Sequence, residues 1–165
     1  MTEKHRYVSR NLWSVTRPKT LVVACSDGRL QKSIDDFLEQ HMGVTDYDRL
    51  YAPGGPGALA TGGLERLRAD QFRREFTFLM KAHGTEEVIL LFHGAGEEGP
   101  EEAICAHYKR LLPHGIYSRA DIARRQEEDA QEVVRQAFVG MGPLRVHVLR
   151  AEVQADGSVR FVDLD

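Results

Sequence analysis

The stretch Leu21-Val22-Val23-Ala24-Cys25-Ser26-Asp27-Gly28-Arg29 decides how the chain is read. Residues suited to a buried strand run directly into a cysteine, an aspartate, a glycine and an arginine, and a helical pattern follows at once. Open α/β sheets carry their functional groups beyond the carboxyl ends of their strands, so polar chemistry here marks a candidate site. Cys25, as a thiolate, is both a nucleophile and a metal ligand. Asp27 and Arg29 are close enough in sequence to form a charge-assisted pair.

Working outward, Thr20–Cys25 reads as a strand because its apolar run is short and carries a Val-Val pair. Leu30–His41 reads as a helix, with Ile34, Phe37, Leu38 and His41 at helical spacing and Gly43 as its stop. Asp48–Ala52 is a second strand that empties into Pro53-Gly54-Gly55-Pro56-Gly57. Leu64–His83 reads as a long amphipathic helix, with Leu64, Leu67, Phe72, Phe76, Leu79 and Met80 on its apolar face. Glu87–Phe92 is apolar on both faces, as a central parallel strand should be, and His93 follows it. Helices are expected over about Glu101–Leu112 and over Arg119–Val139, the latter with Ile122, Gln126, Ala130, Val133, Val134, Ala137 and Phe138 along one side. Leu144–Val153 and Val159–Leu164 read as strands joined by a hairpin turn at Ala155-Asp156-Gly157.

This order predicts an α/β fold, a mostly parallel sheet flanked by helices on both faces and closed by a C-terminal antiparallel hairpin. Residues 1–19 form an N-terminal arm and residues 20–165 a single domain. Trp13, in that polar arm, needs a place to bury its ring, on its own domain or on a partner subunit.

The 165 residues, 42% hydrophobic and 28% charged, suit one globular domain with a real core. A net charge of −3 leaves no basic footprint for nucleic acid. No apolar run approaches the roughly 20 residues that span a bilayer, so no membrane role is expected. The polar first ten residues lack the apolar centre of a signal peptide. Two distant cysteines then suggest reduced thiols and a cytoplasmic location.

The layout makes a geometric prediction of its own. Cys25 ends the first strand and His93 the third, and parallel strands end on the same edge of a sheet. Cysteine and histidine on one rim beside an acidic residue form a zinc inventory.

At these residues the chain resembles the β-class carbonic anhydrases. Cys25-Ser26-Asp27-Gly28-Arg29 is similar to their cysteine-x-aspartate-x-arginine motif. Tyr51-Ala52-Pro53-Gly54-Gly55 is similar to their glycine-bearing loop, and Val88–His93 to the strand that delivers a histidine ligand. The resemblance covers Thr20 to His93 well and the remainder loosely. It implies a zinc enzyme interconverting carbon dioxide and bicarbonate, or acting on a related small linear substrate such as a carbon–sulfur analogue. It also implies that Cys25 and His93 are metal ligands, that Asp27 and Arg29 form a catalytic dyad, and that the protein is a homodimer, with the Trp13 arm a candidate contact. In the family the aspartate either pairs with the arginine or swings onto the metal.

One position departs from the pattern. The family's second cysteine stands three residues after the histidine, and here that residue is Gly96. Cys105, on the next predicted helix, is one replacement. There Cys105 and His107 flank opposite edges of an apolar stripe of Ile104, Tyr108, Leu111 and Leu112, and His107 is read as a surface or boundary residue. Asp27 on the metal is a second solution. The third is loss of the metal, leaving a catalytically degenerate relative that acts as a scaffold or small-anion binding module. The glycines at 54, 55 and 57 lack a P-loop lysine and read as a tight turn. Glu97, Glu98, Glu101 and Glu102 read as a solvated acidic loop.

Overall fold

A five-stranded sheet in the order β2-β1-β3-β4-β5 carries the molecule. The structure is a computed structural model and describes residues 7–61, 65–111 and 117–164. The strands are β1 (Thr20–Cys25), β2 (Asp48–Ala52), β3 (Glu87–Ala95), β4 (Arg145–Val153) and β5 (Val159–Asp163). β1 pairs in parallel with β2 and β3, β3 in parallel with β4, and β5 runs antiparallel beside β4. The fold class is therefore the α/β arrangement expected, with β1 and β2 at their expected bounds.

All six residues of β1 are buried. Strand alternation sorts them onto two cores. Leu21 and Val23 join Val88, Leu90 and Phe92 of β3 on one face. They pack there against Phe76 and Met80 of α2 (Arg66–His83) and Ile122, Ala130 and Val133 of α4 (Arg119–Gln136). Val22, Ala24, Ile89 and Leu91 form the other face with Leu30, Ile34 and Leu38. The helix expected over Leu30–His41 is α1 (Gln31–Asp36) continued by a π-helical turn, Phe37–His41.

Four helical expectations are corrected. Leu67 is exposed, because it stands nine positions before the buried Phe76 and so half a turn from the face Phe76 occupies. The predicted start of that helix at Leu64 lies outside the described residues. Val134 is also exposed, one step round the helix from the buried Val133. The α4 helix stops at Gln136, short of Val139, and Gly140 beyond it has a positive φ. The helix expected over Glu101–Leu112 is broken, with a 3-10 turn at Glu101–Ala103, extended backbone at Ile104, and α3 (Ala106–Leu111) beginning only after Cys105. Leu112 lies outside the described residues.

The start of α4 is fixed by its own side chains. The Ser118 hydroxyl accepts from the Asp121 N–H at 3.2 Å, and the Ser118 N–H donates to Asp121 Oδ2 at 2.8 Å. This reciprocal cap satisfies donors that the first turn leaves free. Replacing Ser118→Ala is expected to lower stability by about 1 kcal/mol, read as a lower urea midpoint with an unchanged slope.

Candidate metal centre

The ends of β1 and β3 create the site. Cys25 is the last residue of β1, while β3 runs on to Ala95, so His93 lies within its strand. By alternation His93 belongs with Ile89 and Leu91 on the face opposite Cys25. The two groups still meet, because β1 stops at Cys25 and leaves the rim beyond it open. The ligand atoms of Cys25, His93 and Cys105 all lie within 4.8 Å of one another. The three residues are 8%, 4% and 1% exposed.

Cys105 reaches this point through the break before α3. It occupies the extended link between the 3-10 turn and the helix, and its carbonyl accepts from the Lys109 N–H at 3.1 Å. The depth of α3 is set from α4. Tyr108 is fully buried, and its hydroxyl donates to Asp129 Oδ2 at 2.7 Å. Asp129 is buried too, and Arg125 pairs with it at 2.9 Å. Burial raises the Asp129 carboxyl above its ordinary range, against the pull of the Tyr108 hydrogen bond and of Arg125.

The residue three after the histidine does not serve this cluster. The Gly96 N–H donates to the Val153 carbonyl at 2.8 Å, and a Cβ there would stand 2.8 Å from the Gln154 side chain. That position faces the β4–β5 hairpin. Asp27 is not in the cluster either. Its Oδ1 accepts from the Arg29 N–H at 3.1 Å and from Arg29 Nε at 2.9 Å, and its Oδ2 accepts from Arg29 Nη2 at 2.6 Å. The Arg29 guanidinium beside it holds the Asp27 carboxyl down at about 2. Arg29 Nη2 also donates to the Glu102 carbonyl at 3.1 Å.

The glycine loop packs against the strand ends that carry the cluster. Gly54 and Gly55 have positive φ, and a Cβ on Gly55 would stand 2.8 Å from the Cys25 backbone nitrogen and 3.0 Å from the Leu91 carbonyl oxygen. Only a glycine lets the loop lie this close to both strand ends. His107 is buried with its ring against Gly54. Its expected boundary position is thus corrected, since α3 turns that edge inward. Burial lowers the pKa of His107, with Arg68 adding to the effect.

Electrostatics within the cluster are divided. Hydrogen bonding from the Cys105 thiol lowers the Cys25 pKa against burial, helped by the His93 ring and the Gly54 N–H. The same pairing, together with burial, raises Cys105. Both ring nitrogens of His93 are buried without a hydrogen-bond partner among the described residues. Two sulfurs and one imidazole nitrogen, converging in a buried space with the imidazole unsatisfied, form a donor set that fits zinc.

A cleft of about 210 Å³ opens beside the cluster, lined by Asp27, Arg29, Leu30, His93, Ala103 and Val159 among others. Sequence reasoning passed over the support behind His93. Gln126, 1% exposed, donates from Nε2 to the His93 carbonyl at 2.8 Å. An amide on an otherwise apolar helical stripe was its signal. Trp13, by contrast, is 86% exposed.

No protein-family model and no curated protein matches the sequence. Solved structures do match. A β-carbonic anhydrase of Trichomonas vaginalis is 16% identical, with 95% of this chain and 88% of that one covered at a TM-score of 0.45. The β-carbonic anhydrase CafA of Aspergillus fumigatus is 17% identical, over 91% and 77% of the two chains at a TM-score of 0.46. The apo form of a carbon disulfide hydrolase is 18% identical, over 88% and 78% at 0.42.

Tyr108→Phe removes the hydroxyl that satisfies a buried carboxylate. It is expected to cost roughly 1–3 kcal/mol in urea unfolding, more than the loss of an exposed hydrogen bond.

Proposed function

We propose that the protein is a zinc-dependent lyase of the carbonic anhydrase type, interconverting carbon dioxide and bicarbonate. The observation that carries this reading is the buried convergence of Cys25, His93 and Cys105, with an imidazole that has no hydrogen-bond partner among the described residues. These three residues would hold the metal, with Cys105 supplying the ligand that Gly96 lacks. Bound zinc supplies Lewis-acid activation of water near neutral pH.

The chain's own groups do the rest. Arg29 holds the Asp27 carboxylate by two nitrogens and keeps it ionised. An ionised carboxylate only accepts hydrogen bonds, so Asp27, on the cleft wall with His93, takes one from the attacking water and aims its lone pair at the substrate. Leu30, Pro100, Ala103, Val153 and Val159 give that cleft apolar walls suited to a small uncharged molecule. Carbon disulfide or carbonyl sulfide would meet the same walls, and their hydrolysis is assayed beside carbon dioxide hydration. Among the described residues no helix is long and apolar enough to cross a membrane. The exposed Leu12, Trp13 and Val15 of the arm offer the contact for the proposed homodimer, checked by light scattering.

Elemental analysis after dialysis without chelator is expected to find about one zinc per chain. Cys105→Ser is expected to lose both that zinc and carbon dioxide hydration; full zinc occupancy in this variant would remove Cys105 from the ligand set. Asp27→Asn is expected to retain zinc and lower kcat by roughly 10²-fold, measured by stopped-flow hydration.

A further inference from the structure

Cys25 and Cys105 are the two cysteines of the chain, and both are free thiols. They come from distant parts of the sequence, yet the fold brings their sulfurs within 4.8 Å and into a hydrogen bond in which Cys25 accepts from Cys105. Apolar packing holds them there. Both lie in one core cluster with Ala103, Ile104 and Tyr108, the neighbours of Cys105, which are 8%, 5% and 0% exposed. On the other side, Gly55 lets the loop after β2 close on the Cys25 backbone. The two sulfurs differ in access. Cys25, at the open rim of the sheet, is 8% exposed, and Cys105 is 1% exposed. Asp27, two residues beyond Cys25, and His93, in the same cluster, both line the cleft. A channel that suits a small uncharged substrate also suits a small uncharged oxidant.

We propose that Cys25 and Cys105 form an oxidisable dithiol, which hydrogen peroxide entering by the cleft closes to an internal disulfide. The Cys25 sulfur attacks one peroxide oxygen and the O–O bond breaks. Hydroxide leaves and takes up the proton given by the Cys25 thiol, forming water, and Cys25 becomes a sulfenic acid. The Cys105 sulfur then attacks the Cys25 sulfur. The S–O bond breaks as the S–S bond forms, and the departing hydroxide takes the Cys105 proton. Two thiols and one peroxide thus give one disulfide and two waters. The oxidant has to reach only Cys25, because the second step occurs between sulfurs the core already holds together. The disulfide rests on that contact alone. Its consequence rests on the metal-centre reading, since closing the bond withdraws two of the three proposed ligands.

The test treats the full wild-type chain, stripped of metal by chelation and then freed of chelator, with about one equivalent of hydrogen peroxide. Expected are loss of both titratable thiols, a mass lower by two hydrogens, a monomer on a non-reducing gel, and a Cys25 peptide joined to the Cys105 peptide until reductant is added. Both thiols persisting, oxygen added to either cysteine in place of the crosslink, or a disulfide between two chains overturns the inference. In Cys105→Ser the same treatment is expected to leave a sulfenic acid on Cys25 that a cyclic diketone traps; absence of that adduct overturns the role of Cys25 as the first sulfur oxidised. Zinc binding is expected to be lost in the oxidised wild type and restored by dithiothreitol. A disulfide that forms while the reduced chain binds no zinc, or while the oxidised chain binds zinc unchanged, overturns the metal-centre reading and leaves the dithiol standing.

Discussion

A buried histidine ring with no hydrogen-bond partner for either nitrogen among the described residues is the constraint around which the site is arranged. Leaving a buried polar group unpaired costs about 1–3 kcal/mol, so the ring is suited to take a further partner. It lies beside two thiols, one pulled toward its charged form and the other pushed away from it. The surrounding elements all hold this arrangement in place. Gly55 allows the loop after β2 to close against the ends of β1 and β3. Gln126 fixes the backbone of His93 from α4. Tyr108 and Asp129 set the depth of the helix that follows Cys105.

Buried charge is handled consistently across the molecule. Asp129 is shared between a tyrosine hydroxyl and an arginine. Glu152, buried in β4, lies between Arg150 and Arg160. In both cases the carboxylate keeps partners on either side, which offsets the solvation it gives up. The cleft follows a different rule. Asp27 is only partly buried, and its arginine contacts all come from a residue two positions away. A short local turn supplies the polar group, and longer-range packing supplies the apolar walls.

This division explains what could be read from the sequence. The first two strands, the stop at Gly43 and the hairpin at Asp156-Gly157 are local signals, and the structure places them where they were expected. The Asp27–Arg29 pair is equally local. His93 and Cys25 were legible because parallel strands share an edge. Cys105 was legible only as one choice of three, because its place depends on a helix break at Ile104 and on a hydroxyl–carboxylate contact between Tyr108 and Asp129. Neither leaves a periodic trace. His107 was misplaced for the same reason, since a continuous helix from Glu101 would turn it toward the boundary and the broken one turns it inward. Leu67 is apolar yet outside the core, because helical geometry sets it half a turn from Phe76.

Docking Cys105 through α3, and not through its spacing from His93, frees the intervening residues from any fixed length. Doubling a flexible loop costs only about 0.6 kcal/mol in closure entropy. Residues 97–102, mostly exposed, are therefore a place where this scaffold can accept insertions or deletions without moving the cysteine. Because Pro100 and Glu102 in that stretch line the cleft, changes in its length would reshape the opening that a substrate meets. The fold separates the part of the pocket that must stay fixed from the part that can be rewritten.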